Sequence, residues 1–99
     1  MTEAELERLI AERCAQLGLL VQHFEGAYRA WLPGWPDLTI IGTRTLYREL
    51  KSAGGVVKPD QARCGRRITR AGGDFAVWRP EHWYNGLILR QLQEIRATR

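Results

Sequence analysis

Leu6, Leu9, Ile10, Cys14 and Leu17 recur at the three- and four-residue intervals of one helix face. Thr2 ahead of them can cap the helix, and acidic residues in the first turn suit its dipole. The pattern predicts a helix to about Leu17, ended by Gly18. Residues 19–24 are apolar enough for a first strand, and 25–35 form a long Gly/Pro/aromatic connection of the kind that carries function more often than not. Residues 37–42 and 45–51 read as two further strands, joined into a hairpin by Gly42-Thr43-Arg44. A turn-rich link follows over 52–58, then a helix from Pro59, a residue suited to the first helical position, to Ala71, stopped by Gly72-Gly73. Gly65 inside that helix costs about 1 kcal/mol relative to Ala. Residues 74–79 make a strand that Pro80 breaks. From Glu81 to about Ala97, Trp83, Leu87, Ile88, Leu92 and Ile95 keep near-helical spacing and predict one closing helix. The order is α-β-β-β-α-β-α, an α/β class.

The 99 residues, 44% hydrophobic, suffice for one core and one domain spanning 1–99. Fifteen Lys and Arg against eleven Asp and Glu give +4 and a pI near 9.6, which favours a polyanionic partner. The distribution says more: acidic residues crowd the first twelve positions, whereas Arg63, Arg66, Arg67 and Arg70 form a basic stretch. On a helix that stretch is either a phosphate track or an ordinary solvated face. Cys14 and Cys64 have no metal-ligand spacing, so no zinc site or disulfide framework is expected, and a reducing cytoplasm is the default. The acidic start does not read as a signal peptide. No apolar run approaches the roughly 20 residues of a membrane span.

Two short strings change the picture. In Thr45–Lys51, alternation sends Glu49 and Lys51 to one face and Leu46 and Leu50 to the other, and the hairpin brings Asp37 towards Glu49. Two carboxylates and an amine then converge. Phosphodiester hydrolysis needs an activated water and neutralisation of charge on the phosphate, and hard carboxylate oxygens suit Mg²⁺ or Mn²⁺ for both. A lysine beside the metal can assist the water and stabilise negative charge. A bare Glu-x-Lys is more often a cross-strand pair on a solvated face. The order of parts around it is what points to chemistry.

Gly34-Trp-Pro-Asp37, eleven intervening residues, Glu49-Leu-Lys51, a Gly-rich turn, Gln61 on the next helix, then Ala71-Gly-Gly and a strand together resemble the VRR-NUC family of the PD-(D/E)xK nuclease superfamily, in its small stand-alone phage and bacterial type. The resemblance covers about positions 3 to 79 and omits the tail from Glu81. It implies a restriction-endonuclease-like core with a central mixed sheet flanked by helices. It implies that Asp37 and Glu49 bind the divalent metal, with the main-chain carbonyl of Leu50 as a further ligand, that Lys51 serves the attacking water, and that Gln61 supports the site. An acidic residue on the first helix would complete the set. Glu3 matches by spacing, and about 100° per residue also places it nearest the apolar stripe, with Glu7 on its flank and Glu5 and Glu12 turned away. The small members are similar to Holliday junction resolvases that act as homodimers on branched DNA. The resemblance thus implies a structure-specific endodeoxyribonuclease, in the cytoplasm of a bacterium or a phage-infected host.

Several residues depart from the family pattern. Arg48 stands where the family usually has an apolar strand residue, and Lys58 where a Ser or Thr cap is common. His23 is either a DNA contact or a half-exposed strand histidine, and His82 a helix-start surface residue. Trp31 and Trp35 could stack on an unpaired base or plug a core or dimer surface; Trp78 and Trp83 are assigned to core or dimer contacts. Two other readings stand beside the resolvase. One is a non-catalytic DNA-binding module of a phage recombination or packaging assembly; the other is a nuclease of flaps, nicks or plain duplex.

Overall fold

A computed structural model describes residues 1–24 and 32–97. The first helix, α1 (Glu3–Gln16), begins with a reciprocal capping box. The Glu5 N–H donates to Thr2 Oγ1 and the Thr2 N–H to Glu5 Oε1, both at 3.1 Å. Of its apolar stripe, Leu6, Ile10 and Cys14 are buried, while Leu9 and Leu17 are half-buried. Strand β1 (Leu20–His23) pairs antiparallel with β2 (Leu38–Ile41), which forms the hairpin with β3 (Thr45–Leu50). Helix α2 (Pro59–Arg70) then crosses over so that β4 (Asp74–Trp78) lies parallel to β3. The sheet order is β1-β2-β3-β4, leaving β1 and β4 as edges.

The tail differs from the single helix that hydrophobic spacing predicts. It is two helices, α3 (Pro80–Tyr84) and α4 (Leu87–Glu94). Gly86, at φ +84°, turns the chain between them, and the Asn85 side chain accepts the Leu87 N–H at 2.9 Å to start the second.

Register divides the sheet into two faces. Leu38, Ile40, Leu46, Leu50 and Trp78 join Leu6, Ile10 and Cys14 of α1 and Ile88, Leu92 and Ile95 of the tail in one core. Trp78, Ile88, Leu92 and Ile95 are thus buried within the chain, while Leu87 and Leu89 are half-buried. Arg48 lies on this same face, 1% exposed. Its guanidinium donates to the Asp74 carbonyl at 2.6 Å, to Asp74 Oδ1 at 3.0 Å and to Gln91 Oε1 at 3.1 Å, and stacks 4.9 Å from the Trp78 ring. Burial lowers its pKa and the Asp74 carboxylate opposes that shift. An arginine replaces the expected apolar residue because three partners from β4 and α4 receive its charge.

The opposite face carries Glu49 and packs on α2. Gly65, the costly residue of that helix, lies against the Phe75 ring, where a Cβ would collide with it. No helix among the described residues is long and apolar enough to cross a membrane.

Candidate active site

Sheet register sets the site. Leu38 pairs with Arg48, so Asp37 stands beside Glu49, and Glu49 in turn pairs with Val77 of β4. Asp37 is fixed from both sides of its own backbone and side chain. Its carbonyl accepts the Phe24 N–H at 2.8 Å, and its Oδ2 accepts the Leu50 N–H at 2.8 Å. The loop before it is held as well, because Gly34, at φ +88°, packs directly on the backbone of Asp60 and Gln61. Only a residue without a Cβ permits both that angle and that approach. The segment leading to Asp37 is thereby seated on the start of α2, from which Gln61 projects.

Gln61 is anchored at both ends of its amide. Its Oε1 accepts the Lys58 N–H at 2.9 Å, so its Nε2 is the end that donates to Glu49 Oε2, also at 2.9 Å. The same bond gives α2 the start that Lys58 lacks as a capping side chain. Lys51 Nζ lies 3.6 Å from the same Glu49 oxygen. Its backbone N–H continues the ladder to the Trp78 carbonyl at 3.1 Å.

Glu49 is 2% exposed. Burial pushes its carboxyl up to about 8, the neighbouring Asp37 carboxylate adds to the rise, and Lys51 opposes it. Its Oε1 is buried with no hydrogen-bond partner. A buried carboxylate oxygen left unpaired beside a second carboxylate fits a hard divalent cation, which would satisfy the oxygen and relieve the repulsion. These donors therefore suit the Mg²⁺ or Mn²⁺ that the sequence suggests.

Asp37, Glu49, Lys51 and Gln61 are brought together; the first-helix acid is not. Glu3 is exposed, because it opens α1 one turn before the first buried position, Leu6, where the apolar stripe has not yet reached the core. Glu7 is half-buried and its Oε1 lies 3.1 Å from His23 Nε2. Among the described residues no cluster of three or more His, Cys, Asp or Glu side chains could hold a metal together, so neither glutamate closes on the Asp37–Glu49 pair. His23, in register with Leu38, is on the α1 face of the sheet, away from Glu49.

The arginine stretch splits. Arg66 and Arg70 border a cleft beside β4, while Arg63 and Arg67 border another beside Leu32 and Pro33. Arg63 also pairs with Asp60 at 2.9 Å. Trp35 is half-buried and sets its ring edge-on to Tyr47, 5.9 Å between centroids. Trp31 lies outside the described residues. His82 accepts the Arg79 N–H at 2.8 Å and so secures the start of α3.

One supporting residue has no signal in the sequence. Arg79 Nη1 donates to the carbonyls of Ser52 and Gly55 at 2.8 and 2.7 Å, tying down the turn that leaves Lys51. Its partners become visible only when β4 is laid beside β3.

No family model and no curated protein matches the sequence. Solved structures do. One named VRR_NUC domain protein superposes with a TM-score of 0.70 at 18% identity, covering 96% of this chain and 90% of that one. Another, named VRR_NUC domain, gives 0.64 at 24% identity over 95% and 94%. Coverage this broad takes in most of the tail from Glu81, which the sequence resemblance omits. The chain has the VRR-NUC fold, a four-stranded mixed sheet flanked by helices.

Proposed function

We propose that the chain is a Mg²⁺- or Mn²⁺-dependent endodeoxyribonuclease that hydrolyses DNA phosphodiester bonds at Asp37, Glu49, Lys51 and Gln61. The observation that carries this reading is the buried, unpaired Oε1 of Glu49 beside Asp37 and Lys51. A pure DNA-binding module has no use for carboxylates gathered where a phosphate must come.

A bound cation would neutralise charge on the phosphate and make a water acidic enough to attack at neutral pH. Asp37 and Glu49 would hold it, with the Leu50 carbonyl as a further ligand. The Leu50 N–H keeps the Asp37 carboxylate oriented, and Gln61 does the same for Glu49. Lys51 faces the attacking water and stabilises the negative charge that grows on the phosphate oxygens. Water adds to phosphorus, the bond to the 3′ oxygen breaks, and 5′-phosphate and 3′-hydroxyl ends result.

The preferred substrate is a four-way junction cut by a homodimer, a reading that rests on the sequence resemblance. A two-fold dimer would set two sites at a fixed distance for paired incisions. The test is incubation with labelled junction, flap, single strand and duplex in EDTA, Mg²⁺ or Mn²⁺, read on a denaturing gel, with light scattering for mass. Metal-dependent cutting fastest on the junction, by a protein of dimer mass, is expected. A monomer cutting duplex equally well would retire the resolvase and leave the nuclease.

A further inference from the structure

Beside the active site, α2 leaves part of β4 uncovered, and a groove of about 500 Å³ runs between them. That volume is in the range of ligand clefts. Val57, Ala62, Phe75 and Val77 form its apolar lining, Arg66 and Arg70 stand on its rim, and no carboxylate among the described residues lines it. Both arginines are exposed. One end of the groove meets the carboxylates, since Val77 pairs with Glu49 and Ala62 follows Gln61.

We propose that this groove receives an unpaired nucleotide of the strand being cut, with its base on the apolar lining and its phosphates on Arg66 and Arg70. The charge decides the class of occupant: a ligand that is flat and apolar in one part and anionic in another satisfies both lining and rim. An unpaired nucleotide is such a ligand. A base inside an intact duplex is stacked on both sides and cannot lie on Phe75 and Val77, so the groove favours DNA that is unpaired next to the scissile phosphate. This deepens the nuclease reading and rests on it.

The test compares two fluorescent oligonucleotides of equal length, oligothymidylate and its abasic counterpart, by anisotropy in EDTA. They carry the same phosphates and differ only in bases. Wild type should bind the thymidylate about tenfold tighter or more. Val57→Asn and Ala62→Leu, which add no charge, should erase that preference without weakening abasic binding, whereas Arg66→Ala with Arg70→Ala should weaken both. Equal binding of the two by wild type, or a preference that survives in folded Val57→Asn and Ala62→Leu, overturns the proposal. Wild-type protein crosslinked by ultraviolet light to an iododeoxyuridine oligonucleotide gives a reading free of folding effects. An adduct on Phe75 or elsewhere along the groove supports the proposal, and one at Trp35 or outside the groove overturns it. Cutting of labelled junction, flap, single strand and duplex in Mn²⁺ is scored separately. Cutting without base preference sinks the groove alone, and a base preference without cutting leaves the groove standing and sinks the nuclease.

Discussion

Gln61 holds Glu49 by a 2.9 Å hydrogen bond while its own carbonyl end is locked by the Lys58 N–H, so the amide presents a donor to the carboxylate and cannot turn over without losing both bonds. Gln61→Ala should therefore lower metal affinity or cleavage rate by about 10- to 100-fold, the range for removing a group that orients a ligand. Calorimetric Mn²⁺ titration alongside single-turnover cleavage checks this. A variant with wild-type values in both would strip Gln61 of its role.

The buried Glu49 makes the metal-free protein sensitive to pH. Its folded pKa is raised from 4.5 to about 8, so between those values the folded chain binds more protons than the unfolded one. Stability in EDTA should be greatest below about 4.5 for this group and fall as pH rises through 8. Glu49→Gln should flatten that slope, and denaturant melts across the range measure it. Metal binding to the wild type should release a proton near neutral pH, visible as a buffer-dependent heat.

Arg48 serves stability rather than chemistry. Arg48→Ala removes its contacts with Asp74, Gln91 and Trp78 and leaves a void, at a cost of about 2–4 kcal/mol in urea unfolding. Asp74 is 41% exposed and can be rehydrated, which keeps the cost below that of a fully buried pair. Arg48→Met, apolar and of similar length, should recover most of it. Equal loss in both variants would show that the charge, not the volume, is what β3 needs.

Arg66 and Arg67 lie on different flanks of α2, and both are exposed. Replacing the two with Ala should flatten the slope of log affinity against log salt by roughly one per lost phosphate contact. An unchanged slope would return the arginines to an ordinary solvated face.

What the sequence revealed was local. Alternation within β3 put Glu49 and Lys51 on one face, the short Gly42 turn brought Asp37 across, and Pro59 placed Gln61 at the start of a helix. Each inference spans a few residues. The features that escaped depend on contacts across the fold. Arg48 finds Asp74 and Gln91 only after β4 and α4 pack against β3, and Arg79 reaches the 52–55 turn the same way. Apolar spacing runs through Asn85-Gly86 unbroken and so predicts one closing helix, while the local break there decides the chain path. Helical angle alone turns Glu3 inward, but angle says nothing about whether core lies beneath the first turn.

The central claim is that Lys51 does chemistry at a cation held by Asp37 and Glu49. Its most direct test is Mn²⁺ affinity and cleavage rate measured together on Asp37→Asn, Glu49→Gln and Lys51→Ala, each confirmed folded by circular dichroism. The two carboxylate variants should lose both metal and cutting, whereas Lys51→Ala should keep the metal and lose the cutting. Wild-type cleavage by any of the three contradicts the account.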